Sequence, residues 1–219
     1  RDGRFATQVW VAASGQGRVM VTVDGSLDGL WEAAGYGDSG WQRGQLGAGY
    51  DSSKGNAARR LFSPLIGAGL DVQAAMFEEQ SSCYLRVPFN LASAAGVLRL
   101  DLRMQYDDGF VAYLNGVEVA RSNVPAGVPA WNSLASSNRS DEAALSFENF
   151  ALSVPAGVLL DGANVLAVHG MNSAVAKKET NFVMVPELEA MIALLPYDGL
   201  VTAIDDPDQR QADDDPDGD

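Results

Sequence analysis

Two adjacent carboxylates, Asp107 and Asp108, stand before Gly109. Two carboxyls facing each other across a sugar perform glycoside hydrolysis. Neighbours on an extended chain point apart, so this pair suits a turn whose side chains bond local backbone, or a ligand to a cation or sugar hydroxyl. His169, the one histidine, ends an apolar run beside a polar loop. A buried, hydrogen-bonded ring and a contact to a ligand at the edge of the fold both fit it. One His and one Cys do not make a zinc site. Trp131 lies mid-loop between Pro129 and Asn132-Ser133. Its ring either plugs the loop onto the body of the fold or forms a platform for the C–H face of a sugar, with amides and charges nearby to bond hydroxyls. Asn132, Asn172, Lys177, Lys178 and Asn181 are candidates for those polar partners, and Tyr106 adjoins the carboxylate pair.

The end of the chain offers metal chemistry. Residues 205–219 hold eight Asp and one Arg. Asp213, Asp215, Asp217 and Gly218 fit the opening of a calcium loop, and the sequence stops before the twelfth position, where such a loop has its last carboxylate. A solvated acidic linker fits the same residues. Gly37-Asp38-Ser39-Gly40 matches the nucleophile tetrapeptide of chymotrypsin-like proteases. There the His base precedes the Ser, whereas His169 lies far downstream and Trp41 follows the tetrapeptide, so the match is read as coincidence. Asn138-Arg139-Ser140 is a glycosylation sequon, relevant only to a eukaryotic secreted protein.

Net charge is −14 over 219 residues. That sign argues against nucleic acid or an anionic membrane surface as partner, and it permits neutral sugars, cations and basic proteins. No apolar run reaches transmembrane length. Arg1-Asp2-Gly3 opens without an initiator Met and reads as a processed or excised piece. Cys83, the one cysteine, excludes an intrachain disulfide, and it alternates with Tyr84 and Arg86 as a buried small hydrophobe would.

Strands must position these groups. Leu98, Leu100, Leu102, Met104 and Tyr106 alternate with Arg99, Asp101, Arg103 and Gln105, a period of two. Asp107-Asp108-Gly109 breaks this strand, Phe110–Leu114 forms a second, and Asn115-Gly116 turns it into a third at Val117–Arg121. Three antiparallel strands are expected, with Leu114 opposite Val117 and Ala112 opposite Val119. Residues 5–13, 18–23, 81–89, 145–154, 164–170 and 181–195 read as further strands, the last single or paired, with a short helix as an alternative. Leu70, Val72, Ala74 and Met76 alternate, which suits a strand although 61–79 is ambiguous. Residues 24–60, rich in glycine with Trp31, Tyr36, Trp41 and Tyr50 between, read as a long ordered loop pinned by its aromatics. Many short strands with Gly and Pro turns and no strong helix indicate an all-β antiparallel sandwich over 1–196, followed by an acidic segment over 197–219.

Asp107 to Ala120 resembles the core hairpin of galactose-binding-domain-like jelly rolls, a group that includes the sugar-binding domain of β-galactosidases and many bacterial carbohydrate-binding modules. Leu160-Asp161-Gly162-Ala163-Asn164-Val165-Leu166-Ala167-Val168 resembles a second block of that family. Trp31 through Asp38-Ser39-Gly40-Trp41 to Gly49-Tyr50 resembles its entry segment. The resemblance implies a jelly-roll β-sandwich and a non-catalytic module of a secreted or cell-surface bacterial protein, attached to further domains of a larger parent chain. Such domains bind sugars, bind other polymers or act as spacers, and often hold a structural calcium. The implied partner is a polysaccharide or glycan, with Trp131, Asn132, Tyr106, Asp107, Asp108, His169, Asn172 and Lys178 as candidate contacts. The alternative is a structural or adhesive module stabilised by calcium, with no sugar site. Residues 213–218 also resemble the start of thrombospondin type 3 repeats.

Overall fold

Period-two patterning builds two antiparallel sheets packed face to face. The computed structural model describes residues 5–52, 61–175 and 180–194. Eleven strands follow one another: β1 (Phe5–Val11), β2 (Gln16–Met20), β3 (Gln42–Gln45), β4 (Ala48–Asp51), β5 (Ser82–Leu91), β6 (Val97–Asp107), β7 (Gly109–Leu114), β8 (Val117–Ser122), β9 (Glu148–Ala151), β10 (Gly162–Met171) and β11 (Asn181–Ala193). One sheet runs β1-β11-β6-β9, with β4 also on β11; the other runs β3-β2-β5-β10-β7-β8. This is the antiparallel sandwich expected. Alternate residues of β5, β6, β7, β10 and β11 fill the space between the sheets, among them Leu85, Leu102, Phe110, Leu166 and Leu188. Cys83 joins this core, and burial pushes its thiol pKa up.

Several local expectations are corrected. The stretch 97–121 is not one three-stranded sheet. β6 pairs with β11 and β9, whereas β7 pairs with β10 and β8, so Asp107-Asp108 carries the chain from one sheet to the other. Asn115 and Gly116 do form the hairpin turn, with φ of 51° and 90°. Leu114 faces Val117 as expected, but a bulge places Ala112 opposite Ala120. Leu98 shares the sequence alternation of β6 yet is 60% exposed: Met191 faces Arg99 and Ile192 faces Val97, so Leu98 is the extra residue where the register shifts. Residues 70–76 are not a strand: Gln73–Met76 is a short helix, and the buried pair Val72 and Met76 has helical spacing. β3 and β4 arise inside the glycine-rich segment. A Cβ on Gly49 would lie 2.2 Å from the carbonyl oxygen of Phe182 on the paired strand, so only glycine fits.

Residues 24–41 of that segment form a flap over the outer face of the six-stranded sheet. Trp31 stacks on Tyr84 of β5 with ring centroids 4.1 Å apart, and Trp41 packs beside both. Arg86 of β5, almost fully buried, donates from Nε to Asp38 at 2.8 Å and from its terminal nitrogens to the carbonyls of Trp31, Ala33 and Tyr36. Arg18 of β2 pairs with the other oxygen of Asp38. Burial alone would raise the Asp38 pKa; the hydrogen bonds and charges of Arg86 and Arg18 outweigh it and hold the carboxyl below its ordinary value. The tetrapeptide around Ser39 is therefore explained by its aspartate, the anion that fastens the flap.

Candidate functional site

Among the described residues, Tyr106, Asp107, Asp108, Trp131, His169 and Asn172 gather at one end of the sandwich, where β6 passes to β7, β10 ends and the 123–140 loop begins. Asp108 is the centre of this group. Its carboxylate accepts from the backbone N–H of Arg139 at 2.6 Å and of Ser173 at 2.8 Å, while its own N–H donates to the Met171 carbonyl. The Asn123 amide donates to the Asp108 carbonyl and to that of Ser137. The partners are thus distant in sequence, where local backbone was expected. Asn172 donates its N–H to Ser81, accepts from the N–H of Ala135, and donates from its side chain to Tyr50 Oη at 2.9 Å.

His169 lies under the flap. Ser82 Oγ donates to the Trp131 carbonyl, so it accepts from His169 Nε2 at 2.9 Å, which sets the proton on Nε2. Tyr84 and Trp31 meet the ring edge-on at 4.7 and 6.1 Å. Burial lowers the His169 pKa from 6.5 to about 3. Tyr106 points into the sandwich. Its hydroxyl meets Ser122, Glu148 and Arg139, whose guanidinium lies 4.1 Å over the ring.

Burial changes the roles expected of these groups. Tyr106, Asp107, Asp108, His169 and Asn172 are each 3% exposed or less, so they sit beneath the surface that a ligand would meet. They shape loops. Trp131 is half-buried against the flap and its N–H lies 3.4 Å from Asp28, the plug reading. Asn132 is exposed beside it. Lys178 and the acidic residues Asp213, Asp215 and Asp217 lie outside the described residues. Among the described residues no group of three or more His, Cys, Asp or Glu is placed to hold a metal ion.

What the network supports is an open groove of about 430 Å³ formed by the 124–136 loop. Val128 and Leu134 present apolar side chains there at 88% and 41% exposure, with Pro125 and Pro129 beside them. Asn132, Ser133 and Ser136 supply the polar groups. The loop is fixed from several sides. Arg121, itself held by Glu118, donates to the carbonyls of Pro125 and Gly127, each at 3.0 Å. Ser136 N–H donates to Asn123 and Ala135 N–H to Asn172. Arg121, Asn123, Arg139, Val128 and Leu134 were not singled out from the sequence. Alternation offers no signal in an irregular loop, where Pro129 and Trp131 are the visible cue.

Asp108→Ala should loosen this loop. It removes a buried acceptor and leaves the N–H groups of Arg139 and Ser173 without it, at a cost of roughly 2–3 kcal/mol. Urea denaturation should show that loss, and amide exchange at Ser173 and in the 123–140 loop should accelerate. An unchanged midpoint with unchanged exchange would remove Asp108 from this role.

No protein-family model matches the sequence, and no curated protein matches it. Solved structures with a similar arrangement include Bacteroides uniformis beta-glucuronidase 2, with TM-score 0.49 and 14% identity over 85% of this chain and 18% of that one. A beta-glucuronidase of an uncultured Clostridium gives 0.49 and 11% over 88% of this chain and 30% of that one. The Lactobacillus rhamnosus beta-glucuronidase gives 0.46 and 15% over 88% and 29%. The chain thus spans 18% to 30% of the length of these three neighbours.

Proposed function

We propose that this fold is a non-catalytic, carbohydrate-binding-type module of a secreted or cell-surface bacterial protein, and that its ligand lies in the groove of the 124–136 loop. One observation carries the reading: an exposed loop is held rigid by buried polar groups while it turns apolar and amide side chains outward. Ordering costs for such a surface are met on folding and not on binding. Sugar rings offer C–H faces and hydroxyl rims, which suit a groove of that mixed character. The candidate acid–base groups favour a binding role over catalysis, since Asp107, Asp108 and His169 are sealed from any substrate. Calorimetric titration against neutral and acidic glycans, after a glycan-array screen, tests the proposal. Saturable binding that Leu134→Asp abolishes is the expected result. No binding to any glycan, with or without calcium, would sink it.

A second reading rests on Asp213, Asp215, Asp217 and Gly218. A structural or adhesive module would use calcium held at that end, with the remaining ligands in the parent protein. Calcium bound only to the folded form stabilises by mass action. Millimolar calcium should then raise the melting temperature of a chain extended to include those remaining ligands by several degrees, and chelator should reverse it. A flat response would count against calcium stabilisation.

A further inference from the structure

Resting on the binding reading above, the chemistry of the groove narrows its ligand. The 124–136 lining contains no ionisable side chain, in a chain whose net charge is −14. Nothing there can pair with a carboxylate or sulfate, and the surrounding field repels one. Arg121, the basic group that holds the loop, is bound by Glu118 and spent on the Pro125 and Gly127 carbonyls. The ligand that fits is uncharged.

The polar groups are also few. Ser133 Oγ accepts from the Ala130 N–H. Its O–H stays free to donate, and the Asn132 amide and the Ser136 hydroxyl are the side chains of the lining with no hydrogen bond among the described residues. Apolar walls, Val128 and Leu134, are exposed on the same groove. A plain hexose carries hydroxyls around its whole rim, and those facing these walls would lose water without gaining a partner. A sugar with an acetamido group offers something else to each wall. Its amide has one donor and one acceptor, the complement of the Asn132 side chain, and its methyl covers apolar surface. We infer that the groove is selective for uncharged, N-acetylated sugars over unsubstituted hexoses and over acidic glycans.

The test compares tetramers of N-acetylglucosamine, glucose and galacturonic acid by calorimetry and by backbone amide shifts of the whole chain. The N-acetylated tetramer should bind at least tenfold more tightly than the glucose tetramer, with shifts confined to 124–136. Its affinity should change less than twofold between 50 and 500 mM salt. Asn132→Ala should weaken it about tenfold and Leu134→Asp should abolish it, both variants keeping the parent melting temperature because both side chains are exposed. Equal or tighter binding of the glucose or galacturonate tetramer at the same residues would overturn the selectivity and leave the binding reading standing. Binding of none of the three would overturn the selectivity, and a glycan array then decides the binding reading separately. Binding of the N-acetylated sugar that neither substitution alters would overturn the assignment to this groove.

Discussion

Asp38→Ala is expected to destabilise the fold by roughly 3–4 kcal/mol, and to shift tryptophan emission to longer wavelength. Removing one member of a buried ion pair leaves the other charge uncompensated, typically at a cost of 3–5 kcal/mol. Arg86 would be that charge, since only 3% of it reaches solvent. Its bonds to the carbonyls of Trp31, Ala33 and Tyr36 survive the change in principle, but neutral carbonyls do not replace a carboxylate. Arg18 would lose the same partner. The flap is also where Trp31 and Trp41 are buried, so the optical signal reports the fastening directly. For a domain of this size the melting temperature should fall by roughly 6–15 °C. Combining Asp38→Ala with Arg86→Met should cost less than the sum of the single changes, because the second removes the stranded charge. A melting temperature within a degree or two of the parent, with unchanged emission, would show that the aromatic stacking alone holds the flap.

The second large effect is on pH. His169 titrates at about 3 in the folded chain against an ordinary 6.5, because burial among Tyr84, Trp31 and Ser82 disfavours the imidazolium. Between those values the unfolded chain binds a proton that the folded chain does not. The neutral ring's contribution is therefore complete above pH 6.5 and is lost as pH falls through that window. The full difference is at most about 5 kcal/mol, of which about 2 should be gone by pH 5. Urea midpoints measured from pH 8 to pH 5 should fall for the parent chain and run flatter for His169→Gln. Carboxylates titrate mostly below that interval, so the difference between the two curves isolates the ring. Parallel curves would mean that the imidazole is solvated or charged in the fold.

Local rules reached some of this architecture and stopped where the information is tertiary. Asn115-Gly116 was legible because few residue pairs accept two positive φ values in succession. The strands on either side of Asp107-Asp108-Gly109 were legible too, but not that they enter different sheets, since a turn motif does not say which neighbours its strands will find. β3 and β4 were hidden because strand propensity counts glycine against a strand, whereas Gly49 is needed for close approach to Phe182. Similar reasoning divides the candidate site. The Asp, His, Asn and Trp positions picked from the sequence share one end of the molecule, since buried polar groups concentrate where loops must be ordered. Their burial was not legible. Asp108 bonds to Arg139 and Ser173, and no spacing rule connects those positions. The side chains that do face solvent at the groove, Val128 and Leu134, are of types that sequence reading assigns to cores.

The pairing of β1 with β11 bears on how the fold would respond to tension. Phe5 lies opposite Ala193, so both ends of the described fold leave from the same corner of one sheet. Force applied to the two flanking segments would fall on one hydrogen-bonded rung at a time, as in opening a zipper, instead of loading the whole ladder in shear. β1 would peel first, from the end where β6 begins at Val97. The 123–140 loop hangs from the other end, beside Asp107 and Met171. A tethered copy could therefore yield at its anchor while its far rim kept its shape.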